Sequence, residues 1–144
     1  MFFWSYIRSL FRRKREPDPQ ILIVEGGFNL ASPPDGTVVD YVRWNEVTRI
    51  HTYKIDLLTT DCICLLFEFS DGKPPLQVSD MWEGFTELFT PMAESFPSIP
   101  QNWYLEVMFP AFETNHSVLY ESAHSTESQS STNLRSNGSE SKST

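Results

Sequence analysis

Apolar residues crowd most densely between Trp44 and Phe69, WNEVTRIHTYKIDLLTTDCICLLFEF, and the rest of the pattern is arranged around this stretch. It predicts two antiparallel strands, roughly Val47–Ile55 and Asp61–Phe69, with Leu57–Thr60 bending between them. Side chains alternate along a strand, so Ile63, Leu65, Phe67 and Phe69 share one face and Cys62, Cys64 and Leu66 the other. Both faces stay apolar until Glu68, the pattern of a strand covered on both sides. Upstream, residues 20–30 read as strand, interrupted at Gly26-Gly27 by a bulge or sharp bend. Ser32-Pro33-Pro34-Asp35-Gly36 is turn chemistry, and Thr37–Arg43 is the next strand.

Downstream, Ser70-Asp71-Gly72-Lys73 forms a hairpin turn. The prolines Pro74 and Pro75 put the short strand Leu76–Val78 at an edge. Asp80 opens a helix running to Phe96, with Glu83 completing a capping-box-like pair. Met81, Phe85, Leu88, Phe89, Met92 and Phe96 recur at helical spacing, which is core packing rather than a ligand groove. Pro91 must kink or restart that helix. Trp103–Phe109 alternates apolar and polar and predicts a half-buried strand. Residues 111–120 continue as an extended arm anchored by Phe112, Val118 and Leu119. The fold class is therefore α+β: one bent antiparallel sheet packed by one C-terminal amphipathic helix, with an extra C-terminal strand or arm.

The order of these elements, with the W-x-x-V-x-x-I spacing of Trp44, Val47 and Ile50, resembles small bacterial pleckstrin-homology-like (PH-like) and GRAM-like domains over residues 20–96. The resemblance implies a binding module in which the helix caps one open end of the bent sheet. It carries no lipid-binding residues across, because Glu25 and Asp35 stand where such domains hold a basic cluster.

The ends differ from the body. Wound at 100° per residue, residues 2–13 place Phe2, Phe3, Trp4, Tyr6, Ile7, Leu10 and Phe11 on one broad face and Ser5, Arg8, Ser9 and Arg12 on the other. Arg13, Lys14 and Arg15 follow. Such a segment lies in a membrane interface, docks on its own domain, or serves as a partner-binding or disordered arm. Its apolar run is too short to span a bilayer, and its charges follow rather than precede that run, unlike a secretory signal. The apolar residues Phe2, Phe3, Trp4, Ile7, Leu10 and Phe11 and the basic residues Arg8, Arg12, Arg13, Lys14 and Arg15 are the candidate membrane- or partner-binding set. Three regions result: residues 1–16, a basic amphipathic segment; residues 17–121, a single domain; and residues 122–144, a tail. The tail holds nine Ser and three Thr and too few apolar side chains to offset ordering, so it is expected to be disordered.

Charge narrows the function. Five basic against two acidic groups give residues 1–19 a net +3, leaving −11 for the rest of a chain whose formal charge is −8. An acidic body argues against nucleic-acid binding and suits a basic partner. Cys62 and Cys64 are poorly placed to bond each other and read as buried thiols of a reducing, cytoplasmic compartment. Neither they nor His51 and His116 show metal-ligand spacing. His51, on a strand, reads as a hydrogen-bonded structural histidine. The sequence holds no G-x-S-x-G, phosphate loop or H-E-x-x-H, so no enzyme, cofactor or metal is expected. Two functions stand: a binding domain held at a membrane surface by its first 15 residues, or a small acidic immunity-type protein that neutralises a basic toxin.

Overall fold

The computed structural model describes residues 17–70, 72–109 and 115–123. Seven strands form two antiparallel sheets: β1 (Gln20–Val24), β2 (Gly27–Ser32) and β3 (Thr37–Arg43) in one; β4 (Val47–Asp56), β5 (Asp61–Phe69), β6 (Leu76–Ser79) and β7 (Asn115–Glu121) in the other. The orders are β1-β2-β3 and β6-β5-β4-β7. Two short helices, α1 (Phe89–Ser95) and α2 (Trp103–Met108), lie between β6 and β7 in the chain.

The expectation of a single sheet is thus corrected to two. A 3-10 turn, Trp44–Glu46, separates β3 from β4. Here the chain turns its corner, and the Trp44 ring packs against Phe28, Phe67 and Phe96. The stretch 20–30 is a hairpin rather than one bent strand, with Ile23 paired to Phe28 and Val24 to Gly27. Gly27 is needed because a Cβ there would run into the Val42 carbonyl of β3.

β4 and β5 form as the pattern predicts, from Val47↔Phe69 to Asp56↔Asp61. The two faces of β5 separate as expected. Ile63, Leu65 and Phe67 join the main core between the sheets and helices. Cys62, Cys64 and Leu66 join Tyr53 in a small cluster on the outer face. β6 is an edge strand, as its neighbouring prolines require.

The long helix Asp80–Phe96 is corrected. The chain runs through turns, a 3-10 segment at Thr86–Leu88, and only then α1. The cause lies at Gly84. Its φ is +91°, and a Cβ there would strike the Ile21 carbonyl. β1 packs so closely here that the Ile21 N–H takes the Glu83 carbonyl, which a helix would have used internally. Asp80, expected to cap the helix, instead accepts the Ile63 N–H of β5 at 3.1 Å. The apolar stripe is core all the same: Phe85, Leu88, Met92 and Phe96 are buried, while Met81 is exposed.

Trp103–Phe109 is likewise corrected, from strand to helix. Trp103 and Val107, one helical turn apart, are buried, while Leu105 and Phe109 are exposed. A nearly continuous apolar run fits either period. Of the arm, Asn115–Glu121 pairs with β4 as β7; Leu119 is buried, Val118 is exposed, and Phe112 lies outside the described residues.

Candidate functional site: an apolar groove with an acidic rim

The candidate binding set Phe2, Phe3, Trp4, Ile7, Arg8, Leu10, Phe11, Arg12, Arg13, Lys14 and Arg15 lies outside the described residues, as does most of the tail. The structure does fix where the first of these segments leads. Residues 17–19 run into β1, whose Ile21 N–H donates to the Glu83 carbonyl at 2.8 Å. The chain therefore enters the domain beside the turn that precedes Phe85 and α1.

Next to that entry lies a groove of about 510 Å³ between α1 and α2. Phe89, Met92, Ile99, Trp103, Tyr104 and Leu105 supply its apolar lining. The Phe89 ring meets Trp103 at 5.2 Å and Tyr104 at 5.3 Å, both in tilted or edge-on contact. The floor is buried, but Leu105 is 57% exposed. The rim is acidic. Glu94 lines the groove, and Glu83, Glu87 and Glu106 are exposed on the flanking turns and helices. The sequence holds no Lys or Arg from Pro74 to Leu134, so nothing on these helices offsets those carboxylates.

On the outer face of the larger sheet, His51, His116, Glu68, Arg49 and Glu121 form a second polar constellation. His51 Nε2 lies 2.9 Å from Glu68 Oε2, and His51 Nδ1 lies 3.1 Å from His116 Nε2. The two rings stack at 5.2 Å. Arg49 reaches Glu68 at 3.4 Å and Glu121 at 2.6 Å. A carboxylate only accepts, so His51 donates from Nε2; in its neutral ring Nδ1 then accepts from His116. His51 is thus the hydrogen-bonded structural histidine that its strand position predicts. Desolvation, and then the nearby His51 ring, hold the His116 pKa below its ordinary value. A depressed histidine pKa means the unfolded chain binds the proton more readily, so stability rises with pH. Its contribution is full above the ordinary histidine range and is lost as pH falls through the folded value. The wild-type midpoint should therefore drop between pH 7.5 and 5 by more than that of His116→Gln. Because His116 is an exposed residue the difference is small. Identical slopes in parallel thermal melts would refute the coupling.

Cys62 and Cys64 are both free and buried. Their sulfurs lean to 3.8 Å, a thiol contact rather than a bond. Cys62 also lies 3.1 Å from the Ser79 hydroxyl. The Cys64 thiol, acting as donor to Cys62 and buried, has its pKa pushed up; the Cys62 pKa is lowered by those hydrogen bonds. Burial raises the Asp80 pKa, partly offset by the Ile63 N–H and by the Tyr104 hydroxyl at 3.3 Å. Tyr53, Cys62, Cys64 and Leu66 of this cluster are all buried. Among the described residues no group of three or more His, Cys, Asp or Glu is arranged to hold a metal ion. No described helix is long and apolar enough to cross a membrane.

No family model, curated protein or solved structure matches the chain.

The sequence reading missed both the groove and the histidine pair. One wall of the groove is α2, where the apolar alternation of Trp103–Phe109 predicts a strand. His51 and His116 are 65 residues apart and meet only because β7 returns to β4. Five acidic residues from Asp80 to Glu106 without one basic residue were the available signal for the rim.

Proposed function

We propose that the protein is a non-enzymatic binding domain of pleckstrin-homology-like type, held at an anionic membrane surface by Met1–Arg15. The observation that carries this reading is the segregation within that segment: aromatic and aliphatic side chains on one face, arginines on the other, and no acid before Glu16. The rest of the chain, at −13, is repelled by an anionic surface, so attraction must come from these residues. Two antiparallel sheets, with Trp44 at the corner between them, support the pleckstrin-homology-like part. β7, entering after the helices, is an addition to that arrangement.

Full-length protein should co-sediment with vesicles containing anionic lipid at low salt, and less at high salt, where screening shortens the attraction. Each basic group near such a surface contributes about 1 kcal/mol. Arg12→Ala with Arg13→Ala should therefore weaken binding by about 2 kcal/mol, roughly 30-fold. Trp4→Ala with Phe3→Ala should weaken it through lost apolar area. Wild-type protein left in the supernatant at low salt would end the membrane reading.

A second reading, an acidic immunity-type protein that neutralises a basic toxin, is favoured by the acidic stretch from Asp80 to Glu106, which holds no Lys or Arg. A toxin gene beside this one, whose basic product forms a stable complex with the protein, would favour it over the first.

A further inference from the structure

We propose that Met1–Arg15 occupies the groove between α1 and α2 when no membrane is present, so that the same segment is held either by its own domain or by a lipid surface. The proposal rests on the reading of this segment as an amphipathic ligand, and three observations on the folded domain direct it to this groove.

The first is position. The chain enters β1 at the Glu83–Gly84 turn, and Phe85, the next residue, has its ring 5.7 Å from Phe89 and 6.3 Å from Tyr104, both in the groove wall. Residues 17–19 lead directly into β1, so the segment before them starts on the side of the domain where β1 meets this turn. Pro17 and Pro19 stiffen that lead and limit how far the segment strays from this side.

Charge is the second. The segment carries Arg8, Arg12, Arg13, Lys14 and Arg15. The helices bordering the groove and their flanking turns present Glu83, Glu87, Glu94 and Glu106, with no basic residue among them. The first sheet and its turns offer no such one-sided field: Lys73 lies 3.0 Å from the Tyr41 carbonyl and 4.0 Å from Glu46, and Arg43 stacks on Tyr41.

The third is shape and chemistry. The groove is lined by aromatic and aliphatic side chains, with Leu105 more than half exposed at its lip. A helix of residues 2–13 is about 18 Å long and about 10 Å wide. It can lay Trp4, Ile7 and Phe11, one stripe of its apolar face, along the groove while its arginines reach the rim. An amphipathic helix seated in an apolar groove through anchors at such spacing is an established recognition mode. Intramolecular tethering raises the effective concentration of the segment to the millimolar range, so even weak contacts suffice.

The test uses the full chain with a spin label at Ser5→Cys, on the polar face of the segment; Cys62 and Cys64 are buried, and labelled wild-type protein controls for them. At low salt, amide signals of residues 89–105 should lose more than half their intensity. They should recover at high salt and in Glu87→Lys with Glu94→Lys, but not in Glu25→Lys with Glu46→Lys, which changes charge equally elsewhere. Broadening of another surface, no broadening, or equal recovery in both charge variants would overturn the proposal. Vesicle pelleting is measured separately on the same protein. Pelleting without groove broadening discards the intramolecular contact and keeps the membrane anchor. Groove broadening without pelleting does the reverse.

Discussion

Phe28→Ala should lower the free energy of unfolding by roughly 3–5 kcal/mol, the range for truncating a buried aromatic ring. Phe28 lies on β2 with no exposed surface, and its ring meets Trp44 at 5.6 Å and Phe67 at 5.4 Å. Phe67 belongs to β5 of the other sheet, and Trp44 to the corner between the sheets, so this one ring ties both halves of the fold together. The cost has two parts: the lost transfer energy of the ring, and the cavity left because three backbone segments cannot all collapse into it. Domains of this size are stable by about 5–15 kcal/mol, so the loss is a large fraction of the whole. Phe109→Ala, at a side chain 63% exposed, should change stability by less than about 0.5 kcal/mol. Urea unfolding of both variants against wild type decides it. Equal small shifts would mean that the two sheets do not share one core.

Why were some elements legible in the sequence and others not? β4 and β5 were, because β5 is apolar on both faces until Glu68 and the bend at Leu57–Thr60 turns β4 back to pair with it from Val47↔Phe69 to Asp56↔Asp61. The helical stretch was not. Its apolar residues do recur at helical spacing, but Gly84 must take a positive φ beside the Ile21 carbonyl, and that constraint arises from β1, more than sixty residues earlier. Trp103–Met108 failed for the opposite reason: with Trp, Tyr, Leu, Val and Met in six positions, either period fits, and only the packing of Trp103 and Val107 selects the helix. β7 was expected as an arm, and its place beside β4 depends on pairings such as Tyr53↔His116 that no local pattern announces. The groove inherits both difficulties, since one wall is the shortened α1 and the other is the misread α2.

Lys54 is the residue on which sequence and packing conflict most. Its position in β4 points it to the core face between Thr52 and Asp56, and its side chain has no exposed surface. An ammonium there loses its hydration, a cost of several kcal/mol unless partners replace the water. Partners do stand there: Nζ donates to the Met108 carbonyl at 3.1 Å, and Asp61 Oδ2 lies at 3.7 Å. Met108 is the last residue of α2, where carbonyls lack intrahelical donors, so the lysine also satisfies a helix end and fixes α2 against the sheet. Removing one partner of such a pair costs more than removing the pair's charge altogether. Asp61→Ala should therefore destabilise by about 3 kcal/mol, the lower end of the range for breaking a buried ion pair, because the Asp61 side chain keeps 19% exposure. Lys54→Met keeps the aliphatic volume and buries no charge, and should cost under about 1.5 kcal/mol. Asp61→Ala added to Lys54→Met should then cost much less than Asp61→Ala alone, a coupling of about 2 kcal/mol in the double-mutant cycle. Denaturant midpoints of the four proteins measure that coupling. If the two substitutions add without interaction, the carboxylate does not hold the lysine.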